Sequence, residues 1–407
     1  MKLKIRVLPF VLAGVFAIAY ILVAAFPLSQ EIQFKPEWTI SVFQNIENSL
    51  GEKSFPFKVG QNAGYFSSSG KILNSTTFPV KISISDSFYA PFGLSNDEIP
   101  VYSPDGKFVC KMEASGFPFI DDDRLFVFFP GGASFAQFST EGKKMWSYEG
   151  FIPVTSFASS EGGSAAGFAD GKVLAFNTDG SVKLEFVPGG SKYPVILGLD
   201  ISHDGSLLAC LSGLEKQRIV LSRIEKDHSV ITFYKYLEKD QIRQSFVQFS
   251  EDGDWLYYSF AGGLGIVKCS SGKCTELKME GFVTSIKYTD IPGTMFVLTK
   301  KIENSANAQI ETSAIGTETL SQVQPQAQTT QTEKARLSED VQLSENAQLN
   351  DYSFKKTKKY TVYVIENYTK NAGSFSFDAD VAFIETNGSD LFIGRDSKIS
   401  KIKISNE

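Results

Sequence analysis

The sequence predicts an all-β chain: a single β-propeller of about seven four-stranded blades, preceded by one N-terminal transmembrane helix. Three observations carry this. The stretch Ser164 to Phe186, SAAGFADGKVLAFNTDGSVKLEF, reads as three short strands separated only by turns. The tetrad Ser-x-Asp-Gly recurs at 103–106, 202–205 and 250–253, each time before an apolar run. Phe (35) and Gly (33) far outnumber Pro (15) and Met (5), as expected where aromatics fill strands and glycines turn them.

In chain order, residues 1–28 read as a signal-anchor. Lys2, Lys4 and Arg6 precede the uncharged run 7–26, VLPFVLAGVFAIAYILVAAF. Twenty helical residues rise about 30 Å, the hydrocarbon thickness of a bilayer. A cleaved signal peptide ending near Val23-Ala24-Ala25 is the alternative. In both readings the basic flank stays in the cytoplasm and the body lies outside it, in the periplasm if the cell is bacterial. Residues 29–50 are a membrane-proximal linker, with Phe34, Trp38, Ile40, Phe43 and Ile46 spaced for a short amphipathic helix.

Strand signals begin at Gly51 and run to Lys301. Asp170-Gly171 and Asp179-Gly180 each suit a type I′ hairpin, whose two central residues need positive φ. Val182, Leu184 and Phe186 alternate with Lys183 and Glu185, as on a half-buried strand. The small residues Ala165 to Gly167 suit the crowded propeller axis. Asp105-Gly106, Asp204-Gly205 and Asp252-Gly253 are read as equivalent blade turns. Ser202 and Ser250 are 48 residues apart, one blade, and Ser103 and Ser202 are 99 apart, two blades.

From 302 to 351 aromatic residues vanish and Gln, Thr, Ser, Glu, Asn and Ala dominate. That composition predicts a disordered insertion inside one hairpin, because strand-like runs flank it. Strand pattern resumes over 352–407. The segments 51–301 and 352–407 together supply roughly 306 residues, or about seven blades of about 42. Cys269 and Cys274 flank the turn Ser-Ser-Gly-Lys and are expected to form a disulfide. Cys110 and Cys210 read as small buried hydrophobes.

At STEGKKMWSYEG, residues 139–150, the chain resembles the repeats of pyrroloquinoline-quinone-like propellers: Gly142 and Lys143 form the turn, and Trp146 stands four residues after the glycine. Gly180 fits the same pattern, but Leu184 stands where tryptophan belongs. The Ser-x-Asp-Gly turns are similar to those of WD-repeat-like propellers, without a Trp-Asp or Gly-His dipeptide. The resemblance spans about 300 residues as architecture and implies a fold.

Chemistry is sparse. Two histidines, His203 and His228, leave little for a catalytic triad or a zinc site. Asp121-Asp122-Asp123 lacks the spaced ligands of a dedicated Ca²⁺ site and reads as a solvated turn. A net charge of −6 gives no footprint for nucleic acid. No catalytic, cofactor or metal site is expected. The function expected is a non-catalytic, membrane-anchored scaffold that binds another envelope or membrane protein. The alternative is a quinoprotein-type oxidoreductase, for which three tryptophans are few.

Overall fold

A computed structural model of the chain describes residues 7–24, 32–47, 51–78, 81–93, 97–226, 228–301 and 358–406. Its strands form eight antiparallel sheets, not about seven. Blade 1 (54–77) has three strands. Blades 2 (81–112), 3 (117–148), 4 (154–186), 5 (196–236), 6 (247–278) and 7 (282–379) have four each. Blade 8 joins three strands of 382–406 to an outer strand from the other end of the chain, Ile32–Ser41.

The count differs from seven because the repeat is shorter than 42 residues and the Ser-x-Asp-Gly tetrads are not equivalent. Asp105-Gly106 precedes the outermost strand of blade 2, whereas Asp204-Gly205 and Asp252-Gly253 follow the innermost strands of blades 5 and 6. The equivalent glycines are Gly70, Gly106, Gly142 and Gly180, each before an outermost strand and spaced 36, 36 and 38. The stretch at 164–186 does form three strands, but they are the outer three of blade 4. Its innermost strand is Val154–Ser160, so Ala165 to Gly167 pack between blades and not at the axis.

The turns also differ from type I′. Gly106 has φ +80 and donates to Ser103 O at 2.8 Å, while Asp105 keeps a negative φ. Asp170, Asp179, Asp204 and Asp252 likewise keep negative φ, and only the glycine that follows each is left-handed. This is a type I turn closed by a left-handed glycine, the geometry that leads into a bulge. The register slips by one residue beside the turns at Gly106, Gly142 and Gly180. The aspartate's part is to accept: Ser103 Oγ, Ser202 Oγ and Ser250 Oγ donate to Asp105, Asp204 and Asp252 at 2.5, 2.6 and 2.5 Å.

At the N-terminal end, Val7–Ala24 is helical over 18 residues. That rises about 27 Å, short of the roughly 30 Å hydrocarbon core. Among the described residues no helix is long and apolar enough to cross a membrane, which corrects the spanning segment expected at 7–26. The linker expected to be helical is instead the strand Ile32–Ser41, paired antiparallel with Lys398–Asn406. Long-range pairing here overrides a helix-like spacing. Met295–Lys301 pairs directly with Lys358–Glu366; the expected insertion at 302–351 falls between them, outside the described residues.

All four cysteines are free in the structure, the expected pair Cys269 and Cys274 among them. The ladder pairs Val267 with Cys274 and Lys268 with Lys273, and Cys269 begins the turn that joins the two strands. Cys269 is buried, and Cys274 Sγ lies 3.5 Å from the Tyr258 hydroxyl.

The core lies between blades. Phe126, Phe135 and Trp146 of blade 3 meet Phe157 and Phe176 of blade 4, with ring centroids 5.0–5.6 Å apart. Such pairs add about 0.5–1.5 kcal/mol each beyond area burial. Each turn glycine is also seated on the outermost strand of the preceding blade. A Cβ on Gly70 would lie 3.1 Å from the Trp38 ring, one on Gly180 2.4 Å from Trp146, and one on Gly142 2.1 Å from Lys111 O. Side chains are excluded at Gly142 and Gly180 by contact as well as by φ, whereas at Gly70 the Trp38 ring would have to give by a few tenths of an ångström. Gly142→Ala should therefore cost more than about 2 kcal/mol in urea denaturation, combining a backbone clash with left-handed strain. Gly131→Ala, with φ +93 and open space around it, should cost about 1 kcal/mol; equal losses would discount the seat.

Candidate interaction face

In an antiparallel meander the turns after the first and third strands share one end of the blade. The turns after the innermost strands therefore gather around one mouth of the propeller axis. In blades 2 to 8 these turns hold Asp86, Asp122, Asp123, Glu161, Asp204, Glu251, Asp252, Asp254 and Asp290. His203 is their only basic residue, and they contain no Lys or Arg.

A belt of polar contacts locks these turns together from blade to blade. Tyr65 Oη and Ser85 O join blades 1 and 2 at 2.8 Å, and Ser85 Oγ donates to Asp122 O of blade 3 at 2.7 Å. Arg124 pairs with Asp121 at 3.1 Å, and both bond Ser159 of blade 4. Gly162 N donates to His203 O at 2.8 Å, joining blades 4 and 5. Asp200 of blade 5 accepts Phe249 N–H of blade 6 at 2.6 Å. Lys287 of blade 7 pairs with Glu385 of blade 8 at 2.7 Å, and Thr386 Oγ1 donates to Tyr288 O at 2.7 Å.

Two carboxyls in this belt are driven toward the neutral form. Burial raises Asp200 to about 7 against the opposing backbone N–H bonds from Phe249 and Ile201. Burial likewise raises Glu385, with Lys287 pulling the other way.

Three cavities open between neighbouring blades on this face. One of about 310 Å³, between blades 3 and 4, is lined by Asp122, Asp123, Arg124, Gln137, Glu161 and Ser164, among others. A second, about 410 Å³, lies where the Asp204-Gly205 and Asp252-Gly253 turns meet. A third, about 330 Å³, lies between blades 6 and 7 beside Glu251, Asp252, Tyr288 and Tyr368.

Of the residues singled out in the sequence, the structure brings those two turns together at a cavity and seats Gly180 on Trp146. Asp105, Gly106, Gly142, Asp179 and Gly180 sit at the rim of the same face, and Asp170-Gly171 turns at the opposite end of blade 4. Trp146, whose Nε1 donates to Gln137 at 2.7 Å, is an inter-blade wedge stacked on Phe176. Asp121 to Asp123, read as a solvated turn, supply both the belt and a cavity wall. Asp200 and Tyr288 were missed, because a lone polar residue at a strand end carries no motif.

A pH dependence follows for Asp200. Its folded-state pKa is raised, so folding is favoured where the carboxyl is protonated in both states. That advantage declines as pH rises from about 4, where the unfolded chain releases the proton, to about 7. Asp200→Asn keeps an acceptor for Phe249 N–H. Its stability relative to the parent should rise across pH 4–7 by up to about 1.4 kcal/mol per unit and then level off, read from urea midpoints. A pH-independent difference would show Asp200 ionised in the fold.

Comparison with known proteins places this geometry among relatives. A family model described as "beta-propeller protein" matches residues 1–354. An uncharacterized protein of Treponema pallidum (strain Nichols) is 30% identical over 310 residues, 74% of this chain and 82% of that protein. Among solved structures, BamB from Moraxella catarrhalis superposes with a TM-score of 0.54 at 12% identity, covering 91% of this chain and all of that one. The likeness is one of fold.

Proposed function

The chain belongs to a family of beta-propeller proteins, and from that premise we propose that it is a non-catalytic scaffold of the cell envelope. It binds another protein through the acidic face. The observation that carries the reading is that face itself: turns from seven blades, rich in carboxylates, held rigid by the belt and opened by three cavities. Rigid loops on a scaffold suit recognition, because little ordering entropy is lost on binding. The partner is a protein with a complementary basic patch. The Lys2, Lys4 and Arg6 flank before an apolar stretch matches the basic and apolar regions of a secretory signal peptide and supports a setting outside the cytoplasm.

Photocrosslinking in intact cells tests this. Benzoylphenylalanine at Asp123 or Glu251 should give one reproducible adduct with a second protein. The same probe at Gly131, on the opposite face, should give none. Absence of adducts from the acidic face sinks the reading. So does dye reduction by the purified chain that depends on added quinone, which would make it an oxidoreductase.

A further inference from the structure

We propose that the cavity between blades 6 and 7 receives a cationic side chain, arginine or lysine, of the protein bound by the acidic face. The inference rests on the scaffold reading and names the chemistry of one contact within it.

The cavity has aromatic and anionic walls. Tyr288 and Tyr368 line it together with Glu251 and Asp252, and no Lys, Arg or His does. Asp252 is fixed in place, its Oδ1 accepting Ser250 Oγ at 2.5 Å and Asp254 N–H at 2.9 Å. Glu251 is exposed. Carboxylates beside phenol rings select a cation through charge and through the negative ring faces.

Acidity alone would not single out this cavity, but the setting of Tyr368 does. The residue occupies a tight turn in which Asn367 and Tyr368 both adopt positive φ, +50 and +60. Glycine is the favoured residue at the second of these positions, and a bulky side chain there is strained. The ring is held by stacking on Trp255, centroids 4.7 Å apart at 18°, and the backbone N–H of Tyr368 donates to Gly293 O at 3.0 Å. A strained tyrosine, stacked on one side and lining a cavity, is the kind of outlier that function explains better than folding does. Behind Tyr288, outside the cavity wall, lies Tyr257. It is fully buried against Tyr288, centroids 6.1 Å apart, and its hydroxyl has no hydrogen-bond partner. The same aromatic stack already carries one cation, Lys268 Nζ, 5.8 Å from the Trp255 ring.

The test uses the full chain and two small probes, N-acetyl-arginine amide and its neutral isostere N-acetyl-citrulline amide, titrated by saturation-transfer NMR. The arginine compound should bind saturably and the citrulline compound at least tenfold more weakly. Glu251→Gln with Asp252→Asn should weaken the arginine compound about tenfold. Asp123→Asn with Glu161→Gln, in the cavity between blades 3 and 4, should leave it unchanged. Tyr368→Leu, which keeps apolar volume and removes the ring, should also weaken it. Equal binding of citrulline, or equal loss from the Asp123 and Glu161 changes, would reduce the effect to diffuse charge and overturn the proposal. If the arginine compound fails to bind while the probe at Glu251 still crosslinks a partner, the cavity inference falls and the scaffold reading stands. If it binds but no adduct forms, the scaffold reading falls.

Discussion

Everything in this propeller depends on how the ring is shut. A circular array of sheets has one seam, and here the seam runs inside blade 8. Ile32–Ser41 lies along Lys398–Asn406 in antiparallel register, and Val42 N–H extends the pairing to Ser397 O at 2.9 Å. Lys401 rivets it, pairing with Glu37 at 2.8 Å and Asp390 at 2.9 Å. Trp38 then reaches from the closing strand onto Gly70 of blade 1 and to within 5.8 Å of Phe392. Main-chain pairing, charge and aromatic packing thus converge on one blade. An open seam would leave the outer edge of Lys398–Asn406 unpaired, the form of edge that invites aggregation. It would also release the inner turns from their common orientation.

The architecture was legible in the sequence because its signal is local. Alternation at 182–186 and the Asp-Gly turns are decided by neighbours in the chain, and they appear as strands and turns in the structure. Blade number was not legible, because one tetrad serves two structural positions. Ser-x-Asp-Gly fits any type I turn whose glycine must be left-handed, whether it joins the first two strands of a blade or the last two. The spacing of Gly70, Gly106, Gly142 and Gly180 carries the true period, but Gly70 and Gly142 follow no aspartate. The closing strand was hidden for another reason. Phe34, Trp38 and Ile40 belong to a strand only because a partner waits some 370 residues later.

The interaction face was harder to see than the fold. Its carboxylates are spread from Asp86 to Asp290 and form dense runs only at Asp121 to Asp123 and Glu251 to Asp254. Only the topology, by sending the end of every innermost strand to one mouth, collects them. Burial does the rest: Asp200 has no sequence signature, yet the close approach of Phe249 N–H and loss of water make it the most perturbed carboxyl of the belt. Tyr368 is a comparable case. A Glu-Asn-Tyr-Thr tetrapeptide does not announce a hairpin, since the second central position usually calls for glycine, and the Trp255 ring that holds it lies more than a hundred residues away.

The seam in blade 8 also sets an order of events during synthesis. The strand Ile32–Ser41 leaves the ribosome before any of the other strands described and finds its partner only when residues 398–406 have been made. Bringing together ends some 370 residues apart costs about 2 kcal/mol more in chain entropy than closing one 36-residue blade. Blades that already stack on one another shorten the effective gap, so intermediate blades act as a template for the final pairing. A chain cut short by even its last strand presents the closing strand with no partner. Ring closure is in this sense a length check: only a chain that extends through residues 398–406 pairs the strand Ile32–Ser41.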